Sequence, residues 1–559
     1  MTRQPREGLP GSAAAHPGAK ESTKPGSGRG QRNRRPRQES RQLAAPVEPQ
    51  MSKYGELLQD VQDETSYFLP VDALAAGTHR YLYHLGDFSL PNTTAMHQFL
   101  DDKQEALAKL EQARLSGGER RSASVLRSYM TSLTNLLDAD YFSDTLWQLR
   151  NSRRGLYQLL YMTEIPAYVR GKALVRRLDE LSTPPTAPAE QIRIRSSAHQ
   201  QLALQELHLI QQYLLFAEER ASRFDDKQAI AERIVKARQY ISRLEPRLSH
   251  SVSVDSGSKD PMIGLLVPSL DEVSLGETRD HLEREIEALK RELSEAASRI
   301  DPSRGTDDVV RDTLEASRTR QLDQETIDTW MAKDFPRLRS FFPGYKLKSV
   351  PALGDALETC PPYDNPEAVA LRGAALGHRQ TVCPVSRSHR WLSPEIALMM
   401  TYFPGRAYIE TAVSSWDPCL ALHSQREVFV NGLAMFELQN VAGLEGVLSP
   451  QNSLLTILQV LVEDTAAALD AEILENRLGH QDAPEFFRQR VPLLPDMAST
   501  FSAVATFDFG ISLARFLFRT RLREMRRVSR SSNKKVSWAS FYQSVFEQGT
   551  FDPALLKNP

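Results

Sequence analysis

Two short runs in the second half of the chain carry the residue types best suited to hold a ligand. The first is Met400-Thr401-Tyr402-Phe403-Pro404-Gly405-Arg406, with Tyr408 just beyond it, and the second is Phe429-Val430-Asn431-Gly432-Leu433-Ala434-Met435-Phe436. Arg406 offers a permanent cation in a planar fork that matches a carboxylate or a phosphate, and Asn431 offers a neutral donor and acceptor. Arg406 could equally snorkel outward or pair with Glu410 one turn on. Tyr402, Tyr408, Met399, Met400 and Met435 could line an adaptable apolar pocket, although methionines at helical spacing are more often ordinary core.

Other chemistry-bearing residues are weaker signals. Asp101-Asp102, Asp225-Asp226 and Glu463-Asp464 are paired acids on predicted helices, where solvated faces and caps are the commoner outcome. His79 and His84 could act as polar ligands, but such histidines usually cap or pack. The basic run from Arg519 to Lys535, with Trp538 nearby, could touch an acidic partner, and a solvated helix end is its ordinary reading. The chain has no His-Glu-x-x-His, no Walker loop, no Gly-x-Gly-x-x-Gly after a strand and no Gly-x-Ser-x-Gly elbow.

The elements that would position these groups are mostly helices. Amphipathic patterns run over 96–115, 121–137, 146–181 with a break expected at Pro166, about 191–244, and about 275–300, where Leu282, Ile286, Leu289, Leu293 and Ile300 form one stripe. Two apolar helices are expected over the runs quoted above. Another follows at 454–478, and a last one at 501–527, whose polar side carries Arg515, Arg519, Arg523 and Arg527. Thr183-Pro184-Pro185-Thr186-Ala187-Pro188 reads as a stiff connector, and the Ser-rich stretch 249–260 as a loop. Within 341–390 an alternating segment, Tyr345 to Val350, and several prolines predict a small sheet with loops.

Bulk properties narrow the classes. A formal net charge of -2 gives no electrostatic argument for nucleic acid or a membrane surface. No apolar run reaches the roughly 18 to 20 residues that a span needs. Residues 1–50, rich in Pro, Gly, Ser, Gln and Arg, cannot bury enough surface to offset their ordering entropy and read as a disordered basic tail. Cys360, Cys383 and Cys419 have neither zinc-site nor framework spacing and fit reduced thiols in a cytoplasmic protein.

The two central runs resemble the metal-site segments of the domain of unknown function 885 family, bacterial zinc-dependent peptidase-like proteins. That family reads His-Glu-x-x-Pro-Gly-His on one helix and Phe-x-Glu-Gly-Trp-Ala-x-Tyr on the next. Tyr67-Phe68-Leu69-Pro70 through Asp87-Phe88-Ser89 is similar to its N-terminal signature, and Gly549-Thr550-Phe551-Asp552-Pro553-Ala554-Leu555-Leu556 to its closing tail. The resemblance implies a mainly α, large helical metallopeptidase-like domain of the gluzincin type over 51–556, with a small β-sheet insertion and a central cleft. Its parts would be an N-terminal helical portion 51–340, the β-containing segment 341–390, degenerate active-site helices 391–530 and a closing segment 531–556.

Laid on that frame, Met400 and Arg406 stand where the family has its histidines, Thr401 where it has the base, and Asn431 where it has a metal-binding glutamate. A position reading Asp-x-x-x-His corresponds to Asp464 with Ala468, and a late Tyr-x-x-Gly to Phe507-Asp508-Phe509-Gly510. A thioether, a guanidinium and an amide do not make a zinc site, and Phe507 cannot donate a hydrogen bond. The implied site is therefore a binding one, with Met400, Thr401, Arg406, Tyr408, Asn431, Met435, Phe507 and Arg519 as ligand-binding residues. No catalytic residue, metal or cofactor is expected, and the partner would be a small molecule or a peptide, with no specific nucleic acid and no membrane span. The expected function is a silent peptidase relative that binds in its cleft; a repurposed metal-independent enzyme is the alternative, and an active metallohydrolase comes last.

Overall fold

The computed structural model describes residues 52–319 and 432–545. Missing from these stretches are 76–77, 114, 162–164, 183–191, 195–196, 252–273, 434, 441–447, 476, 480–481, 495–496, 500, 503–504, 506–509, 532–535, 538–539 and 542–543. The described chain is mainly helical, and no strand occurs among the described residues. The expected tail 1–50, the Pro-rich connector, most of the Ser-rich loop, the β insertion at 341–390 and the first central helix all lie outside the described residues.

The first stretch folds as α1 (Lys53–Phe68), α2 (Pro70–Ala75), α3 (Leu90–Gln112), α4 (Gly117–Asp138), α5 (Thr145–Tyr161), α6 (Ala167–Ser182), α7 (Ser197–Arg220) and α8 (Lys227–Ser249). Local chemistry sets several starts. The Ser52 hydroxyl accepts from the Gly55 amide at 3.1 Å, and Ser116 with Glu119 closes a reciprocal capping box on α4. Pro166 separates α5 from α6, as a residue without an N–H that clashes with the preceding turn should. The helical stretch expected over about 191–244 is made of two helices, α7 and α8, with a turn at Ala221–Arg223 between them.

The second set is α9 (Leu275–Ile300), α10 (Thr306–Thr319), α11 (Pro450–Leu474), α12 (Ala483–Arg490) and α13 (Ile511–Ser531), and the described residues of 432–440 are also helical. On α9 the residues Leu282, Ile286, Leu289 and Leu293 are buried, and this helix packs chiefly on α11. Pro450 begins α11 behind the Ser449 cap, and α11 is apolar nearly all round, so that neighbours cover it on every side. The single helix expected at 501–527 is broken. Gly510 adopts φ +83°, a left-handed conformation that glycine takes without strain, and α13 starts after it. No described helix is long and apolar enough to cross a membrane.

Candidate functional site

Of the expected ligand-binding residues, the described chain contains Met435 and Arg519. Met400, Thr401, Arg406, Tyr408, Asn431 and Phe507 lie outside it. Met435 is 2% exposed and belongs to the hydrophobic core. Its segment approaches α13 closely at Gly432, where a Cβ would come within 2.7 Å of the Phe518 ring and 3.4 Å of the Arg515 carbonyl. Glycine suits the position because any side chain there would meet the Phe518 ring.

Arg519 lies in a charged interior. The four-residue spacing of Arg515, Arg519 and Arg523 puts them on one side of α13, and that side faces inward rather than to solvent. Each successive step of four residues advances about 40° around a helix of 3.6 residues per turn, which carries Arg527 out to the surface. Every inward guanidinium has a carboxylate on another helix. Arg515 Nη1 meets Glu463 Oε2 at 3.4 Å, Arg519 Nη2 meets Asp464 Oδ1 at 2.5 Å, and Arg523 Nη1 meets Glu285 Oε2 at 2.7 Å. Arg523 also donates through Nη2 to Gln439 Oε1. The ladder thus ties α13 to α9, α11 and the 432–440 segment.

Burial is graded along it. Arg519 and Asp464 are each 1% exposed, whereas the flanking Arg515–Glu463 and Arg523–Glu285 pairs remain partly open to solvent. Burial pushes the Asp464 carboxyl up, against the pull of Arg519. Burial acts the same way on Glu285, but there Arg523 wins and the carboxyl sits below its usual value. Burial and the neighbouring Arg519 lower Arg523, and burial lowers His281, whose ring edge meets Phe516 at 5.4 Å. Since arginine does not deprotonate at ordinary pH, a neutral Asp464 would strand a buried cation; the pair is ionised.

The expectation that Glu463-Asp464 forms a solvated face is overturned, because Asp464 points into the packed interior. The signal was present in the sequence: Asp464 and Asp470 interrupt a run of residues so apolar that every face of α11 is buried. Asp470 is also fully buried. Its Oδ2 accepts from the Leu513 amide at 3.0 Å, so that a carboxylate from α11 takes up an unpaired N–H in the first turn of α13. Burial raises its pKa to about 8, opposed by the Leu513 and Gly510 amides. The acids of the other two pairs behave as surface groups: Asp101, Asp102 and Asp225 are exposed, and Asp226 precedes α8 as its N-cap.

The histidine candidates divide. His84 Nδ1 lies 2.8 Å from Glu180 Oε1, and the other oxygen of Glu180 accepts from the Leu85 amide at 2.6 Å, which holds the loop before α3 against α6. His79 is exposed. In the Asp87-Phe88-Ser89 segment, Asp87 Oδ1 accepts from the Ser89 amide at 2.9 Å, a local turn that leads into α3. Among the described residues no three His, Cys, Asp or Glu side chains are grouped to hold a metal ion.

Fold and interior together define a large helical protein with an internal ladder of arginine–carboxylate pairs. No family model matches the chain, and no curated protein matches it. Solved structures do share the fold. One is described as a putative lipoprotein of unknown function from Shewanella oneidensis, at 13% identity and a TM-score of 0.63, covering 90% of this chain and 99% of that one. Another, described as a putative lipoprotein from Colwellia psychrerythraea, aligns at 12% identity and a TM-score of 0.63, with 90% and 98% covered. At such identities the likeness is one of fold.

Proposed function

We propose that this chain is a degenerate peptidase-like protein of the domain of unknown function 885 kind, which has lost zinc and its hydrolytic residues and binds a peptide or an acidic small molecule in its cleft. The observation that carries this reading is the Asp464–Arg519 pair. Asp464 falls where the resemblance has an acid of the metal-site frame, and a buried carboxylate there needs a positive charge. A divalent ion would supply it in a metallopeptidase; here Arg519, at 2.5 Å, supplies it from within the chain. Replacement of the family's histidines and glutamate by Met400, Arg406 and Asn431 fits the same loss. A cytoplasmic location belongs to this proposal, resting on the cysteine pattern. The description of the structural neighbours as lipoproteins favours attachment to a membrane as the alternative, and fractionation of cells with and without detergent separates the two.

The test is elemental analysis of the purified full chain, with native mass spectrometry for a copurifying ligand and a peptide-cleavage assay with and without chelator. Zinc far below one equivalent, a bound small molecule or peptide, and no cleavage are expected. Stoichiometric zinc with chelator-sensitive cleavage would overturn the reading. Turnover of the bound molecule without metal would move the protein to the alternative, a repurposed metal-independent enzyme.

A further inference from the structure

One side of the α6–α8 pair is basic and uncompensated. On α6, Tyr168, Lys172, Arg176 and Asp179 recur at steps of four, four and three residues, so they share one face. On α8, Arg233, Lys236, Tyr240, Arg243 and Arg247 recur at three, four, three and four, and share another. The two helices run in the same direction, since Gly171 lies against Phe224 and Asp226, and Asp179 pairs with Arg233 at 2.7 Å. That ion pair joins the two faces into one band, roughly 30 Å long at about 1.5 Å of rise per residue. Arg233 is matched by Asp179 and Glu232. Lys172, Arg176, Lys236, Arg243 and Arg247 are exposed and make no ion pair among the described residues. Tyr240 stands among them: burial raises its phenol, and Arg247 and Arg243 pull the other way.

The far end of this set of helices has the opposite sign. α8 packs on α6 and α7, α5 packs on these two and on α2, and α1, α3 and α4 pack on one another beyond α2. In α1 and α3 acids outnumber bases, and Asp60, Asp101, Asp102 and Glu105 are exposed. The formal net charge of -2 therefore averages over a polarised distribution, which orients a molecule on an anionic surface with its basic side inward. Apolar groups select among anionic surfaces. Tyr168, Leu215 and Val235 are each more than half exposed, one on each of α6, α7 and α8. The phosphates of a nucleic acid would cover the cations and leave these side chains in water. A bilayer takes both, with cations at the lipid phosphates and tyrosine and aliphatic side chains at the headgroup boundary.

From this arrangement we infer that the outer face of α6 and α8 is a docking surface for an anionic phospholipid bilayer, on which the chain lies without spanning it. The inference goes beyond the proposed binding function, which rests on α11 and α13, and stands or falls separately from it.

Co-sedimentation of the full chain with two kinds of vesicle tests it: phosphatidylcholine alone, and phosphatidylcholine with phosphatidylglycerol in equal parts. Binding to the anionic vesicles should be at least about tenfold tighter and should weaken as salt is raised. The triple variant Lys236→Gln, Arg243→Gln and Arg247→Gln should lose roughly a hundredfold, at about fivefold per charge, with an unchanged helical circular-dichroism signal. A matched triple variant at the acidic end, Lys53→Gln, Lys109→Gln and Arg120→Gln, alters exposed residues and net charge equally and should keep most of the binding. The basic residues of 1–50 are the same in every sample, so the difference between the two variants reads the face alone. Equal binding to both kinds of vesicle, or to neither, overturns the inference, and so do equal losses in the two variants. A mixed-sequence DNA duplex held through the same three cations, by a chain with no preference for anionic vesicles, overturns it in favour of nucleic acid. None of these results bears on metal content or on a copurifying ligand, so the failure of one reading is distinguishable from the failure of the other.

Discussion

The two sets of helices bury polar groups with a different emphasis. In α1–α8 the buried long side chains reach for backbone. Asn151 donates to the Leu85 carbonyl at 2.7 Å, Gln158 to the Val71 carbonyl at 2.8 Å, and Arg177 to the Gly155 carbonyl at 2.6 Å. The first of these pins the irregular 78–89 segment to α5, and the other two tie α5 to α2 and to α6. Around them lies an aromatic knot in which Trp147 meets Phe88 edge-on at 4.6 Å and Phe142 at 4.9 Å. In α9–α13 the buried charges meet other charges across helices; buried atoms without a hydrogen-bond partner occur in both sets, Arg177 Nε in the first and Arg519 Nε in the second. The first pattern ties side chains to the backbone of neighbouring elements; the second ties helix to helix through charge. The Arg150 and Arg153 pairs with Glu206 show that α1–α8 also holds a buried charge cluster, so the contrast concerns the side-chain bonds to backbone in the first set rather than charge as such.

The largest effect expected from breaking that contrast is at the ladder. Arg519→Ala should destabilise the chain by about 3 to 5 kcal/mol, because it leaves Asp464 as an uncompensated buried charge. The neutral double variant Asp464→Asn with Arg519→Gln should recover most of that loss, as read by denaturant unfolding. Recovery no better than additive would mean that the pair is not coupled. Arg177→Met comes next, at about 1 to 3 kcal/mol, since it removes a buried hydrogen bond to the Gly155 carbonyl but strands no carboxylate within hydrogen-bond reach. Burial already lowers the Arg177 guanidinium to about 9, against the pull of Glu180. A cost for Arg177→Met as large as that for Arg519→Ala would erase the distinction between the two regions.

The pH response offers a sharper probe. Asp470 rises from an ordinary 3.8 to about 8 in the folded chain, so the folded state holds a proton that the unfolded state has released. Its contribution to stability is complete below the ordinary value and is lost as pH climbs towards about 8. Asp470→Asn should therefore flatten the stability curve across that window and be the more stable protein at its alkaline end. An unchanged slope in thermal unfolding would show that Asp470 is ionised throughout. The smallest effect is expected at the surface of α1–α8: Arg80→Ala, which removes a 3.1 Å pair with Asp63 at well-exposed positions, should cost no more than about 1 kcal/mol.

How far the sequence could be read depended on the kind of signal. Hydrophobic period and proline located α9, α11 and the α5–α6 break, because those features act within a few residues of themselves. The break before α13 was missed, since Gly510 sits inside an apolar pattern that reads continuously and only its backbone angle shows the stop. The candidate site was legible by type only in part. Arg519 stood out, but as one of four arginines on a polar face, and Asp464 was read with the other paired acids although the apolar run around it pointed inward.

Helix identity and burial pattern were thus set by the order of side chains along the chain, because a helix's apolar stripe is local and periodic. Which charges went inside was decided only when α13 docked against α9 and α11. At that point Arg519 met Asp464, from 55 residues away, and an arginine face patterned like a surface became the interior of the protein.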